Sequence, residues 1–169
     1  NYGIYDQIEA LTWCRQNIAS FGGDPDNITA AGQSAGCMSV QILISSPLTK
    51  GMIRRAILQS GGGLNGLNRD FSQASRESVS KKLMEALGAS TIEEMRAIPG
   101  EKIAEVQYTI RAEDGLCWTP VVDGVLLTAP VDDVARAGGA HDIDYMIGST
   151  GDDIGADARR LEYSAVYWA

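Results

Sequence analysis

Histidine is the scarcest reactive residue in this chain: His141 is the only one among 169 residues. Cysteine is nearly as rare. Cys14, Cys37 and Cys117 are odd in number and widely spaced, and no C-x-x-C pair occurs, which argues against a structural zinc site. The same three cysteines lean away from a disulfide-bonded secreted protein and toward a reducing compartment such as the cytoplasm. No run of eighteen apolar residues is present, so no transmembrane helix is expected. Lysine and arginine form no cluster, and a net charge of −8 disfavours nucleic acid or an anionic membrane as a partner. Internal repeats and low-complexity segments are absent as well. No signal peptide is read at its start, but the chain opens on Asn1 without a methionine, which leads us to expect a chain entered midway, so this says little about compartment.

What is present is an ordinary globular composition, 44% apolar and 21% charged, long enough to bury a real core. Ile4, Ile8, Leu11, Cys14 and Ile18 recur every three or four residues, so an amphipathic helix is expected from Tyr5 to about Ser20. Turn residues from Gly22 to Asn27 end it. A strand over Ile28–Gln33 and a helix over Ala35 to about Ser45 follow, then a strand over Arg55–Ser60 closed by Gly61-Gly62-Gly63. Strands alternating with helices imply a mainly parallel α/β sheet with helices on both faces.

After Asn68 the pattern turns helical. Phe71–Leu87 reads as a helix ended by Gly88. Thr91-Ile92-Glu93-Glu94 is a capping box for a short helix stopped before Pro99, and Glu101 to about Ile110 is another. Trp118–Gly124 reads as extended with a turn, Val131–Arg136 as a short helix and Asp144–Gly148 as a strand. The organisation expected is thus one partial α/β domain. Residues 1–68 and 118–155 belong to the sheet, 69–117 form a helical excursion, and 156–169 have no assigned place.

Gly32-Gln33-Ser34-Ala35-Gly36 carries the chemistry. A strand, a sharp turn at a serine and a helix make a nucleophile elbow, which lifts the Ser34 hydroxyl above the sheet. The strained turn requires Gly32 and Gly36 to admit neighbouring backbone, so that a side chain at either would clash. The helix behind offers the Ala35 N–H and a positive dipole end to a developing oxyanion. Cys37, three residues on, is expected to be a small buried hydrophobe like Cys14 rather than a nucleophile. Trp118, Tyr145 and Met38 could line a pocket, although such residues are more often plain core.

These residues resemble the type-B carboxylesterase family, which includes the cholinesterases, within the α/β-hydrolase fold. The elbow is accompanied by Asn1-Tyr2-Gly3-Ile4-Tyr5-Asp6-Gln7, by Asn17–Pro25, by Arg55–Gly61 and by Pro120-Val121-Val122-Asp123-Gly124, all in the family's order. The resemblance implies hydrolysis of a small-molecule ester by a catalytic triad of serine, acid and histidine, with Ser34 as nucleophile. No metal or organic cofactor is implied. The family's Gly-x-Asn-x-Asp-Glu pattern corresponds to Gly148–Asp153, which assigns the acid to Asp153, with Asp152 as the alternative. Ser60 resembles a family serine whose hydroxyl can bond the triad acid. Gln33 replaces the family's usual glutamate and removes a charge beside the site, which argues against a preference for cationic substrates; the ester expected is a neutral or aryl one.

His141 precedes the strand that the acid follows, and five strand residues span roughly 17 Å. It is therefore expected at the opposite edge of the sheet, in a surface loop, and the catalytic histidine is expected outside this chain. The family's upstream glycine-rich oxyanion loop is also missing, which leaves Ala35 as the one visible donor of the oxyanion hole. By itself the chain is expected to be inactive. Two other readings stay open at this point: a non-catalytic cholinesterase-like adhesion or interaction domain, and another α/β-hydrolase such as a lipase. The oligomeric state is open too.

Overall fold

A computed structural model describes residues 1–61, 72–114 and 118–150. They fall into two compact units, one made of 1–61 with 122–150, the other of 72–114 with 118–121.

The first unit begins with helix α1, Tyr2–Asn17, which tightens into a 3₁₀ turn at Ile18–Phe21. The helix starts three residues earlier than its apolar spacing suggests, because the Asn1 carbonyl accepts the Ile4 and Tyr5 N–H groups at 2.9 and 3.2 Å. Gly22, at φ 83°, closes the 3₁₀ turn with its N–H on Ala19 and Ile18 carbonyls. Strand β1 (Thr29–Gln33) runs directly into helix α2 (Ala35–Ser45), and strand β2 spans Arg55–Gln59. Helix α6 (Val131–Arg136) and strand β3 (Asp144–Gly148) complete the unit.

The three strands are parallel in the order β1-β2-β3, with Gln33, Gln59 and Gly148 in register at their C-terminal ends. Alternation sends Ala30, Ala56, Leu58 and Tyr145 toward the buried side. There they join Cys37, Val40 and Ile44 of α2 in one core with Ile4 of α1. Leu126 and Leu127, both 0% exposed, seal it from the return segment. Full burial of a side chain such as Leu58 contributes about 1.5–3 kcal/mol.

The return segment is extended without pairing as a strand. Asp123 organises its turn: one carboxylate oxygen accepts the Val125, Leu126 and Leu127 N–H groups at 3.0, 2.8 and 3.2 Å, and the other accepts the Asn1 amide at 2.7 Å. Gly124 takes φ 76° at this turn. Burial pushes the Asp123 carboxyl pKa up, but the four hydrogen bonds together outweigh it and hold the group below its ordinary value.

The second unit holds helices α3 (Gln73–Leu87), α4 (Ile92–Ala97) and α5 (Gly100–Asp114). Ser72 caps α3 by accepting the Ser75 N–H, and Gly88 ends it in the left-handed conformation. The Thr91 capping box is complete: Thr91 Oγ1 accepts the Glu94 N–H at 3.2 Å and Glu94 accepts the Thr91 N–H at 3.1 Å. Helix α5 begins directly after Pro99, whose carbonyl accepts the Lys102 and Ile103 N–H groups. Its side chains are described as far as Arg111.

Candidate active site

Ser34 stands where β1 becomes α2, at φ 53° and ψ −118°, a conformation costly for any residue but glycine. Hydrogen bonds pin it on both sides. Its N–H donates to the Gln59 carbonyl at 2.9 Å, extending the β1–β2 ladder by one residue, and its carbonyl accepts the Met38 N–H at 3.1 Å to open the helix. The side chain is left exposed above the sheet edge, with no partner for Oγ among the described residues. Ala35, also exposed, is the first residue of α2, and its N–H is an orphan donor of the first turn without a partner among the described residues.

The two elbow glycines differ. A Cβ on Gly32 would stand 2.7 Å from the Cys37 nitrogen and closer still to the carbonyl carbon and oxygen of Gly36, so only glycine fits. The clash expected of a side chain at Gly36 is absent: nothing among the described residues lies within 4 Å of a Cβ built there. The close approach is one backbone crossing, and a Cβ would enter it from Gly32 alone, since the Cα–Cβ direction at Gly36 faces open space.

Ser60, one residue past β2, also has positive φ, at 48°. Its N–H donates to the Gly148 carbonyl at 2.9 Å, and its Oγ has no partner among the described residues. Gln33 is exposed at the strand end opposite Gln59. The acid candidates Asp153 and Asp152 lie outside the described residues, as does Cys117. Gly61 was not singled out by its sequence, yet its main chain touches the elbow. A Cβ there would come within 2.6 Å of Ser34 Cα and 2.7 Å of its carbonyl carbon. The triple glycine after Ser60 was the available signal.

His141 sits at the other end of α2. Its N–H donates to the Ile44 carbonyl at 2.9 Å, and ring Nε2 lies 3.0 Å from the Ser46 carbonyl. Because a carbonyl only accepts, Nε2 carries the proton. Eleven helical residues, about 16 Å, separate that end of α2 from the elbow. The expected surface loop is instead a half-buried tie. Nδ1 is buried without a partner among the described residues, and the Tyr145 hydroxyl donates to the His141 carbonyl at 2.5 Å. Burial, then the nearby Asp142 charge, push the Tyr145 pKa up.

Cys37 is buried, 2% exposed, inside the core, and Cys14 is half-buried. Tyr145 packs against the same core. Met38 is half-buried, and Trp118, in the other unit, is 39% exposed. Among the described residues no group of three His, Cys, Asp or Glu is placed to hold a metal ion.

A serine held at a strand-to-helix elbow on the C-terminal edge of a parallel sheet defines an α/β-hydrolase core. The chain belongs to the carboxylesterase family, whose model matches residues 1–164. It is 35% identical over 164 residues to an acetylcholinesterase of Leptinotarsa decemlineata, a match that covers 90% of this chain and 26% of that protein. It is 31% identical over 160 residues to the para-nitrobenzyl esterase of Bacillus subtilis (strain 168), covering 90% of this chain and 32% of the relative. The crystal structure of a Geobacillus stearothermophilus carboxylesterase superposes with a TM-score of 0.77 at 38% identity, covering 89% of this chain and 32% of that one. A PNB esterase structure gives 0.81 at 29% identity, covering 97% and 37%. The chain thus spans between about a quarter and a third of the length of these two curated relatives. The type-B carboxylesterase kinship and the α/β-hydrolase fold follow.

Proposed function

We propose that the whole protein is a serine carboxylesterase that hydrolyses neutral or aryl esters through an acyl-enzyme on Ser34. The observation that carries this reading is the elbow itself: an exposed serine at φ 53°, strained and pinned by hydrogen bonds on both sides. Oγ attacks the acyl carbonyl carbon, and a histidine outside this chain takes its proton. The carbonyl electrons move onto oxygen, where the Ala35 N–H and the positive end of α2 stabilise the charge. As the tetrahedral adduct collapses, the alcohol leaves with the proton from the histidine. Water then repeats the sequence, releasing the acid and restoring Ser34.

Asp153 is the proposed triad acid, with Asp152 as the alternative. The register supports this. Two strand spacings, about 10 Å, separate the ends of β1 and β3. Asp153 is five residues beyond Gly148, a reach of up to about 17 Å. Ser60, at the end of the strand between, is suited to bond that carboxylate. The neutral Gln33 and the para-nitrobenzyl esterase relative favour uncharged aryl esters. Without the histidine, residues 1–169 alone are expected to show no turnover.

The test is hydrolysis of p-nitrophenyl acetate by the full-length protein. Wild type should turn over with an initial burst, while Asp153→Asn lowers kcat about 10⁴-fold, as loss of a triad acid does. If Asp152→Asn shows that loss instead, the acid is reassigned to Asp152. An inactive wild type contradicts the reading.

A further inference from the structure

We infer that Gly61 is a positioning residue for both the nucleophile and the oxyanion donor, an inference that rests on the reading of Ser34 as the nucleophile. Strand β2 ends at Gln59, and Ser60 turns the chain with a left-handed φ of 48° while its N–H bonds the Gly148 carbonyl of β3. The chain thereby leaves β2 sideways, across the end of β1. It brings Gly61 against the main chain of Ser34, on the segment that the Gln59 carbonyl and the Met38 N–H hold in place.

The atoms that Gly61 touches are the ones that aim the site. A Cβ at 61 would lie 2.6 Å from Ser34 Cα, which directs the hydroxyl, and 2.7 Å from Ser34 C, to which the Ala35 N–H is joined; it would come closer still to Ser34 O. Real Cβ atoms essentially never approach so near, and all three neighbours are backbone, which cannot rotate away as a side chain would. A methyl group there must move the elbow or move itself. Moving the elbow shifts the nucleophile and the oxyanion donor together relative to a substrate bound elsewhere, which lowers the chemical step more than binding. Misplacement by about 1 Å is worth about 100-fold in rate.

The experiment is Gly61→Ala in the full-length protein, read by melting temperature, by steady-state kinetics on p-nitrophenyl acetate and by the second-order rate of fluorophosphonate labelling per folded molecule. The expected result is a fall of about 100-fold in both kcat and labelling, with KM within about threefold. Labelling and kcat within about twofold of wild type would overturn the inference, even with a lower melting temperature, because a purely structural residue would give that pattern. If Gly61→Ala does not fold, Ser60→Gly/Gly61→Ala is read in the same assays with Ser60→Gly as its baseline, so that the loss of the Ser60 hydroxyl is common to both. At least a tenfold loss supports the role, and none overturns it. If wild type itself is not labelled, the reading of Ser34 fails. Crystal structures of wild type and variant then decide the geometric claim: a displaced Ser34 Cα upholds it and an unmoved one overturns it.

Discussion

The backbone of Gly32 crosses that of Gly36 so closely that the two meet without room for one carbon atom on Gly32, while the same atom on Gly36 would meet nothing among the described residues. The elbow of Ser34 is built over this crossing. Gly32→Ala should therefore cost at least about 3 kcal/mol, the upper range for overpacking, because backbone cannot repack around the methyl. Gly36→Ala should fold as well as wild type, gaining up to about 1 kcal/mol from helix propensity. Thermal melting of the two variants checks the order, and equal melting temperatures would contradict it.

His141→Ala should leave the chemistry alone and weaken the fold. The ring ties the start of β3 to the end of α2 through the Ser46 carbonyl, which is buried with its residue at 0% exposure. Losing that bond leaves the carbonyl to the Thr49 N–H, which reaches it at 3.4 Å, so the cost is that of one hydrogen bond, about 0.5–1.5 kcal/mol. Denaturant unfolding should show the loss, while kcat/KM per folded molecule stays within about twofold. A loss of about 10⁴-fold in kcat would instead place His141 in the triad.

Asp123 should make the fold sensitive to acid. Its carboxyl pKa is lowered in the folded chain by the bonds from Val125, Asn1, Leu127 and Leu126, which overcome the opposing effect of burial. The stabilisation is then fully present above the ordinary carboxyl value of about 3.9 and is lost as pH falls through the lower folded value. Asp123→Asn removes this titration. Melting temperatures measured between neutral pH and pH 3 should fall less steeply below pH 4 in the variant than in wild type. Parallel acid limbs would contradict the assignment.

What the sequence made legible was local. The Thr91–Glu94 capping box, the Gly88 helix end, α2 over Ala35–Ser45 and the strand over Asp144–Gly148 are each written in neighbouring residues. The turn at Ser34 belongs with them, because glycines, serine and flanking apolar runs sit side by side. Contacts between distant residues were not legible. The triple glycine marks the stretch at Gly61 without naming Ser34 as the residue it faces, and nothing near His141 announces Ser46 as its partner. The tie from Asn1 to Asp123 joins residues 122 positions apart and leaves no periodic trace. The Gly36 expectation failed for a related reason: which of two crossing glycines must stay bare depends on Cα–Cβ directions set only after the chain has folded.

The most direct test of the central claim is the site of covalent capture. The full-length protein is incubated with a fluorophosphonate, its intact mass is measured, and the adduct is mapped after digestion, with Ser34→Ala treated in parallel. One adduct on the peptide carrying Ser34, absent from Ser34→Ala, is the predicted result. A wild-type protein that stays unmodified, or an adduct that persists in Ser34→Ala, would contradict Ser34 as the nucleophile.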